Sequence, residues 1–167
     1  MEIKQLRPEE GLLYGELRLC ALGDTPDAFG DTLSDALARP EQLWIDRAHE
    51  ITHNSEREVL FMAWDQGKPS GLIYVRLETP AAHVYGMWVA PAVRGRGTGA
   101  ALLKAGLLWA RTKWAERAEL WVTDGNMAAI RLYKRLGFRE TGLREPLRPG
   151  SAIPICQMIL KLADYRV

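Results

Sequence analysis

Cysteine is scarce in this chain: two of its 167 residues, Cys20 and Cys156, are too few for a disulfide framework or a four-cysteine zinc site. Excess charge is also missing. Lys and Arg number 22 against 21 Asp and Glu, a formal net charge of +1, which argues against a wholesale electrostatic grip on nucleic acid or on a membrane surface. The longest apolar stretch, around Ala100 to Ala110, is cut by Lys104 and falls short of the ~20 residues that span a bilayer. The opening Met1 to Gln5 has no apolar h-region, so no secretory leader is expected. Internal repeats, low-complexity tracts and linkers are absent, and residues 1–167 are read as a single domain. Free thiols without an export signal make a cytoplasmic location the expectation.

The chain does have a core's worth of apolar residues, 47% hydrophobic against 26% charged. Ile3 to Leu6 reads as a first strand. Pro8, with Glu9 and Glu10 in the first turn, opens a helix whose Leu13, Leu17, Cys20 and Ala21 share a face. Asp24 to Asp31, with Pro26 and Gly30, breaks it, and a second helix is expected from about Glu41 to His49. Val59–Trp64 and Gly71–Leu77 flank a turn as a strand pair, followed by a strand over His83–Val89. A long helix over about Gly97–Trp114, a strand over Glu119–Thr123 and a helix over Met127–Leu136 come next. Gly137 sits where a helix end favours a left-handed residue, and Phe138–Gly142 and Ile155–Leu162 close the chain as strands. The order is that of an α/β (α+β) fold, a mixed sheet with helices on its faces.

Arg94-Gly95-Arg96-Gly97-Thr98-Gly99 lies between a strand and the long helix. Glycines there let backbone N–H groups at a helix start approach phosphate oxygens, and two arginines add positive charge. Gly95, Gly97 and Ala100 also satisfy the dinucleotide pattern G-x-G-x-x-G/A. However, Ala90 to Arg94 separate strand from glycine, and earlier strands and helices precede the unit. The G-K-[ST] of a nucleotide P-loop is missing, and a plain glycine turn starting a helix is the third reading.

The segment Met87-Trp88-Val89-Ala90-Pro91-Ala92-Val93-Arg94-Gly95-Arg96-Gly97-Thr98-Gly99-Ala100-Ala101-Leu102-Leu103 resembles the acetyl-CoA-binding core of the GNAT (GCN5-related) N-acetyltransferases. Their hallmark [QR]-x-x-G-x-[GA] is met at Arg94, Gly97 and Gly99. A second hallmark follows at the expected distance, Asn126 to Tyr133 and then Leu136-Gly137-Phe138. The resemblance implies a mainly antiparallel sheet whose central strands, His83–Val89 and Glu119–Thr123, splay around acetyl-CoA, with no metal. It implies that the backbone of Met87, Trp88 and Val89 holds the pantetheine, with the Val89 N–H as oxyanion donor. Arg94, Gly95, Arg96, Gly97, Thr98, Gly99 and Ala100 should cradle the pyrophosphate and Asn126 should hold the cofactor. Arg131 or Lys134 is either a 3′-phosphate contact or a solvated helix face.

By the same resemblance Tyr133 protonates the leaving thiolate, the alternative being a ring packed between helix and sheet. His83, eleven residues before Arg94, stands where histone-acetylating relatives carry a catalytic glutamate, and its ring suits a base. Relatives acting on protein N-termini carry a glutamate where this chain has Trp121; Glu119, Glu78 and ordered water are the other candidates. Asp24, Asp27, Asp31 and Asp35 beside Phe29, in the region that forms the acceptor side in this family, would suit a cationic amine; turn and cap roles explain such aspartates equally well. A homodimer is compatible with the family. The implied activity is acetyl-CoA-dependent acetylation of a primary amine on a small molecule or peptide, the alternative being a CoA-binding sensor without turnover. His49-Glu50-Ile51-Thr52-His53 also matches the zinc-protease pattern H-E-x-x-H, but no third ligand follows at a sensible distance.

Overall fold

The computed structural model describes residues 1–165. A short strand β1 (Glu2–Gln5) and one 3₁₀ turn at Pro8–Glu10 lead into α1 (Gly11–Asp24), α2 (Leu33–Leu37) and α3 (Glu41–His53). Then come β2 (Glu58–Asp65), β3 (Lys68–Glu78), β4 (Ala81–Val89), α4 (Thr98–Thr112) and β5 (Arg117–Thr123). The chain closes with α5 (Met127–Arg135), β6 (Arg139–Pro146) and β7 (Pro154–Lys161). The seven strands form one sheet in the order β1-β2-β3-β4-β5-β7-β6, and every neighbouring pair is antiparallel except β4 with β5. This is the mixed, mainly antiparallel α/β architecture expected.

Three differences have local causes. Helix α2 follows the broken segment because the Thr32 hydroxyl accepts the Asp35 N–H at 3.1 Å, an N-cap within a stretch read as turn. Helix α3 runs a turn beyond His49 because Ile51 is buried on the same face as Trp44 and Ala48. Strand β6 continues past Gly142, whose φ of +88° accommodates a register shift between Glu140 and Arg144. Gly137 takes the left-handed conformation, with φ +98°.

The sheet separates two cores. On one face α4 buries Leu102, Leu103 and Leu107 completely against strand residues such as Ile73, Val75 and Leu120. Each such leucine contributes roughly 1.5–3 kcal/mol, which outweighs the ~1 kcal/mol helix cost of Gly106. That glycine is required, because a Cβ there would lie 2.9 Å from Val75. On the other face Leu17, Ala21 and Leu22 of α1 and Trp44 and Ala48 of α3 pack on Leu60, Met62, Leu72 and Trp88. Gly11 and Gly15 bring α1 and α3 together, since Cβ atoms there would lie 2.6 Å from the Ile45 backbone and 2.8 Å from the Trp44 ring.

The sheet's irregularity positions the site. Strands β4 and β5 pair only over Ala81–Val84 and Arg117–Leu120. Beyond Val84, β4 carries one extra residue relative to β3, with Tyr85 opposite Tyr74 but Trp88 opposite Leu72. Gly86 sits in this bulge at φ +59°. The bulge bends β4 while β5 stays paired with β7 along its whole length, so the two parallel strands lose contact.

Candidate active site

Between the parted strands lies a cleft of about 1260 Å³, walled by Tyr85–Val89, Leu120–Thr123, the turn before α4 and one face of α5. It exceeds the ~300–1,000 Å³ of ordinary small-molecule pockets, enough for an extended ligand plus a second reactant. The Ala90 N–H donates to the Ser70 carbonyl at 2.8 Å, toward β3. Strand alternation turns the Trp88 N–H the same way and leaves those of Met87 and Val89 facing the diverged β5. These are donors inside the cleft with no strand to accept them.

At one end the chain turns through Gly95 (φ +75°) and Gly97 (φ +85°), and a Cβ on either would meet open space. Their positive φ, rather than crowding, requires glycine. Helix α4 starts at Thr98 with no side-chain cap, so its first N–H groups point outward. Thr98 is buried and its hydroxyl donates to Val93 O at 3.4 Å, leaving only its backbone available. Arg94 donates from Nε to Val89 O at 2.9 Å, and its Nη2 is held by Asp24. Asp24 also accepts the Trp88 indole N–H at 2.8 Å, and these two donors hold its carboxyl below the usual range. Arg96 is exposed. Asn126 caps α5, accepting the Ala129 N–H at 3.2 Å, and lines the cleft. Lys104, Arg131 and Arg135 also line it, whereas Lys134 turns away to Glu140 at 2.8 Å.

Tyr133 is buried in the cleft wall, its ring tilted against Phe138 at 5.9 Å. Burial pushes its phenol pKa up to about 12, so it stays protonated through the physiological range. His83 lies on the same strand as the bulge but outside the cleft lining. It stacks on Tyr85 at 6.1 Å, with Glu119 3.9 Å from Nδ1 and Glu78 3.8 Å from Nε2. Glu119 is buried and bonded by Arg117 (2.6 Å) and Gln157 (3.2 Å).

The opposite end of the cleft is bounded by α1, the 24–31 segment and α3, through Tyr14, Arg18, Phe29, Asp31, Arg39 and Trp44. The 26–29 stretch is tied down across the cleft, because the Thr123 hydroxyl donates to Asp27 O (2.6 Å) and Arg148 Nη1 to Phe29 O (3.0 Å). The four aspartates do not form a free carboxylate cluster. Asp24 is held by Trp88 and Arg94, Asp31 by both Nη groups of Arg39 (2.7 and 2.8 Å), and Asp35 accepts the Thr32 hydroxyl (2.7 Å). Phe29 is covered by the Arg18 guanidinium at 5.0 Å.

The family model for the acetyltransferase (GNAT) family matches residues 27–138. The chain belongs to the GNAT family. It is 32% identical over 135 residues to mycothiol acetyltransferase of Thermobispora bispora, which covers 79% of this chain but 43% of that protein. The GNAT chain thus spans less than half the length of this relative. A GNAT acetyltransferase from Streptococcus pneumoniae superposes with a TM-score of 0.80 at 18% identity, covering 96% of this chain and 98% of that one. YncA of Salmonella typhimurium, solved with its cofactor acetyl-CoA, gives 0.79 at 18% identity over 100% and 96% of the two chains.

Within the GNAT fold the H-E-x-x-H segment lies on the outer side of α3. His49 and His53 are exposed, Glu50 pairs with Arg47 at 3.1 Å, and no group of three or more potential ligands occurs among the described residues. No helix among those residues is long and apolar enough to cross a membrane. The cleft also uses groups that sequence reasoning passed over. Glu58, one residue before the strand expected from Val59, is buried in β2, where the Tyr74 hydroxyl, Arg47 Nη2 (2.7 Å) and Asn54 (3.4 Å) donate to it. The Tyr74 ring lines the cleft and stacks on Tyr85 at 5.9 Å. Tyr14 and Arg18, four apart on α1, share a face and point at the same wall, a spacing that was available from the sequence.

Proposed function

We propose that this chain, as one catalytic unit, is an acetyl-CoA-dependent N-acetyltransferase acting on a primary amine by direct attack on the thioester. The observation that carries the reading is the pair of unpaired N–H groups of Met87 and Val89, facing a cleft with an open glycine turn at one end and a protonated Tyr133 in its wall. The uncapped start of α4, with Lys104, Arg131 and Arg135 beside it, suits an anionic diphosphate ligand. Acetyl-CoA supplies an activated acyl carbonyl.

The chain's own groups do the rest. Backbone N–H groups of Gly95 to Ala100 hold the pyrophosphate, with Arg96 adding charge, Arg94 bracing the turn through Val89 O and Asp24, and Asn126 supporting the cofactor from α5. The Val89 N–H, with Met87 next to it, donates to the carbonyl oxygen as negative charge develops there. The amine lone pair forms the C–N bond, the C–S bond breaks, and Tyr133 donates its proton to the departing sulfur. The amine's proton passes through water to His83, which Glu119 flanks. A cationic acceptor loses its main support where arginines engage Asp24 and Asp31.

The test is Tyr133→Phe, expected to lower kcat by about 10²-fold with unchanged KM for acetyl-CoA. An unaltered kcat removes Tyr133 from the mechanism. Tight acetyl-CoA binding without thiol release across a broad amine panel would favour the sensor reading.

A further inference from the structure

The acceptor end of the cleft holds two guanidinium groups, Arg18 and Arg39, that share one carboxylate, Asp31. Arg18 has only 13% of its side chain exposed, and its nearest carboxylate oxygen, on Asp31, is 3.7 Å away, beyond hydrogen-bonding distance. Asp31 is already satisfied, since its two oxygens accept from Arg39 at 2.7 and 2.8 Å and one also accepts the Thr32 N–H at 3.1 Å. Arg18 makes no hydrogen bond to any described residue. Its guanidinium is held by stacking on Phe29 at 5.0 Å and by the β4 bulge, where a Cβ at Gly86 would lie 3.3 Å from Nη1. A guanidinium has five donors in a planar fork, and leaving them idle in a nearly closed site is costly. The charged groups lining this end are Arg18, Arg39 and Asp31, a local excess of one positive charge. The Tyr74 hydroxyl is committed to Glu58, and the Tyr14 and Trp44 rings pack edge to face at 5.6 Å.

Resting on the acetyltransferase reading, we propose that Arg18 is the anchor for a carboxylate on the acceptor, so that the substrate class is an amino-carboxylate rather than a polycation. Strand rise puts the Gly86 contact roughly 3–10 Å from the Met87 and Val89 N–H groups. An acceptor with its carboxylate a few bonds from its amine spans that interval, placing nitrogen at the thioester and oxygen atoms on the fork. Planar bidentate geometry is what an arginine supplies and a lysine does not.

The experiment compares matched acceptors on the intact chain: 4-aminobutyrate, 4-aminobutyramide and 1,4-diaminobutane, with a set of α-amino acids beside their amides. Wild type should favour carboxylates over their amides by at least about tenfold in kcat/KM, a factor typical of one charged contact. Arg18→Gln should abolish that preference through the acceptor KM while leaving acetyl-CoA affinity unchanged, and Arg18→Lys should recover only part of it. Turnover without carboxylate preference, or a preference that survives Arg18→Gln, overturns the anchor and leaves the acetyltransferase reading standing. Calorimetric binding of the same carboxylates to the CoA-loaded protein separates the opposite case. Arg18-dependent binding without turnover upholds the anchor and defeats the reaction, and neither binding nor turnover defeats both.

Discussion

Glu58→Gln tests whether the polar network under the acceptor wall stabilises this fold. Glu58 is 7% exposed and accepts from Tyr74, Arg47 and Asn54. Burial pushes its carboxyl up, but hydrogen bonds from Tyr74 and Arg47 outweigh burial and hold it below the usual carboxylate range. Glutamine keeps the size, removes the charge and leaves the Arg47 guanidinium unpaired on that side. Breaking a fully buried pair costs about 3–5 kcal/mol. Arg47 is 31% exposed and keeps part of its hydration, which lowers the expected loss to about 2–3 kcal/mol. In a chain of this length that is a fall in Tm of about 4–12 °C.

The pH dependence has a definite sign. Because the folded pKa is depressed, the contribution is present above the unfolded value of ~4.3 and is lost as pH falls through the folded value. Urea unfolding at pH 7 should therefore show the full gap between wild type and variant, and the gap should close below about pH 4. Arg47→Met in the same background removes the stranded cation and should recover about half the loss. A gap under about 0.5 kcal/mol at pH 7, or one that persists in acid, would refute the reasoning.

Further outcomes are expected elsewhere. Gly15→Ala puts a methyl group 2.8 Å from the Trp44 ring and should cost about 1–3 kcal/mol by thermal unfolding while displacing the acceptor wall; an unchanged Tm contradicts the close packing of α1 on α3. Arg131→Gln should raise KM for acetyl-CoA several-fold, a rise that acetyl-dephospho-CoA, which lacks the 3′-phosphate, does not show. Lys134→Gln should leave KM unchanged, because Lys134 is engaged by Glu140; equal effects would show that both residues are merely solvated.

Much of the fold is legible in the chain because its signals are local. Pro8 and the acidic pair after it mark the 3₁₀ turn that leads into α1, the glycines at 95 and 97 set the entry to α4, and alternation in Val59–Trp64 and Gly71–Leu77 reads as a hairpin. The hallmark residues from Arg94 to Ala100 and from Asn126 to Tyr133 are contiguous, so two walls of the cleft can be read as a string. The cap that creates α2 is a local Thr32–Asp35 contact within a stretch that reads as turn, whereas the register shift that carries β6 past Gly142 depends on pairing with β7, which the fold sets.

The acceptor side lies beyond the reach of spacing. From sequence, Asp24, Asp27, Asp31 and Asp35 beside Phe29 suggest an acidic mouth. In the folded chain Arg94, seventy residues on, engages Asp24, while Arg39 and Arg18 converge on Asp31. The six tryptophans divide in the same way. Trp88 is buried and bonded to Asp24, Trp44 is packed in the cleft wall, and Trp114 is 90% exposed. The sequence by itself determined the order of elements and the glycine turn, because backbone conformation follows from near neighbours, while Tyr133 was legible only through the family resemblance. The tertiary structure alone decided the sign of charge at the far end of the cleft, because Coulomb interactions follow distance in space, and the bulge at Gly86 with the closely packed α1 sets those distances.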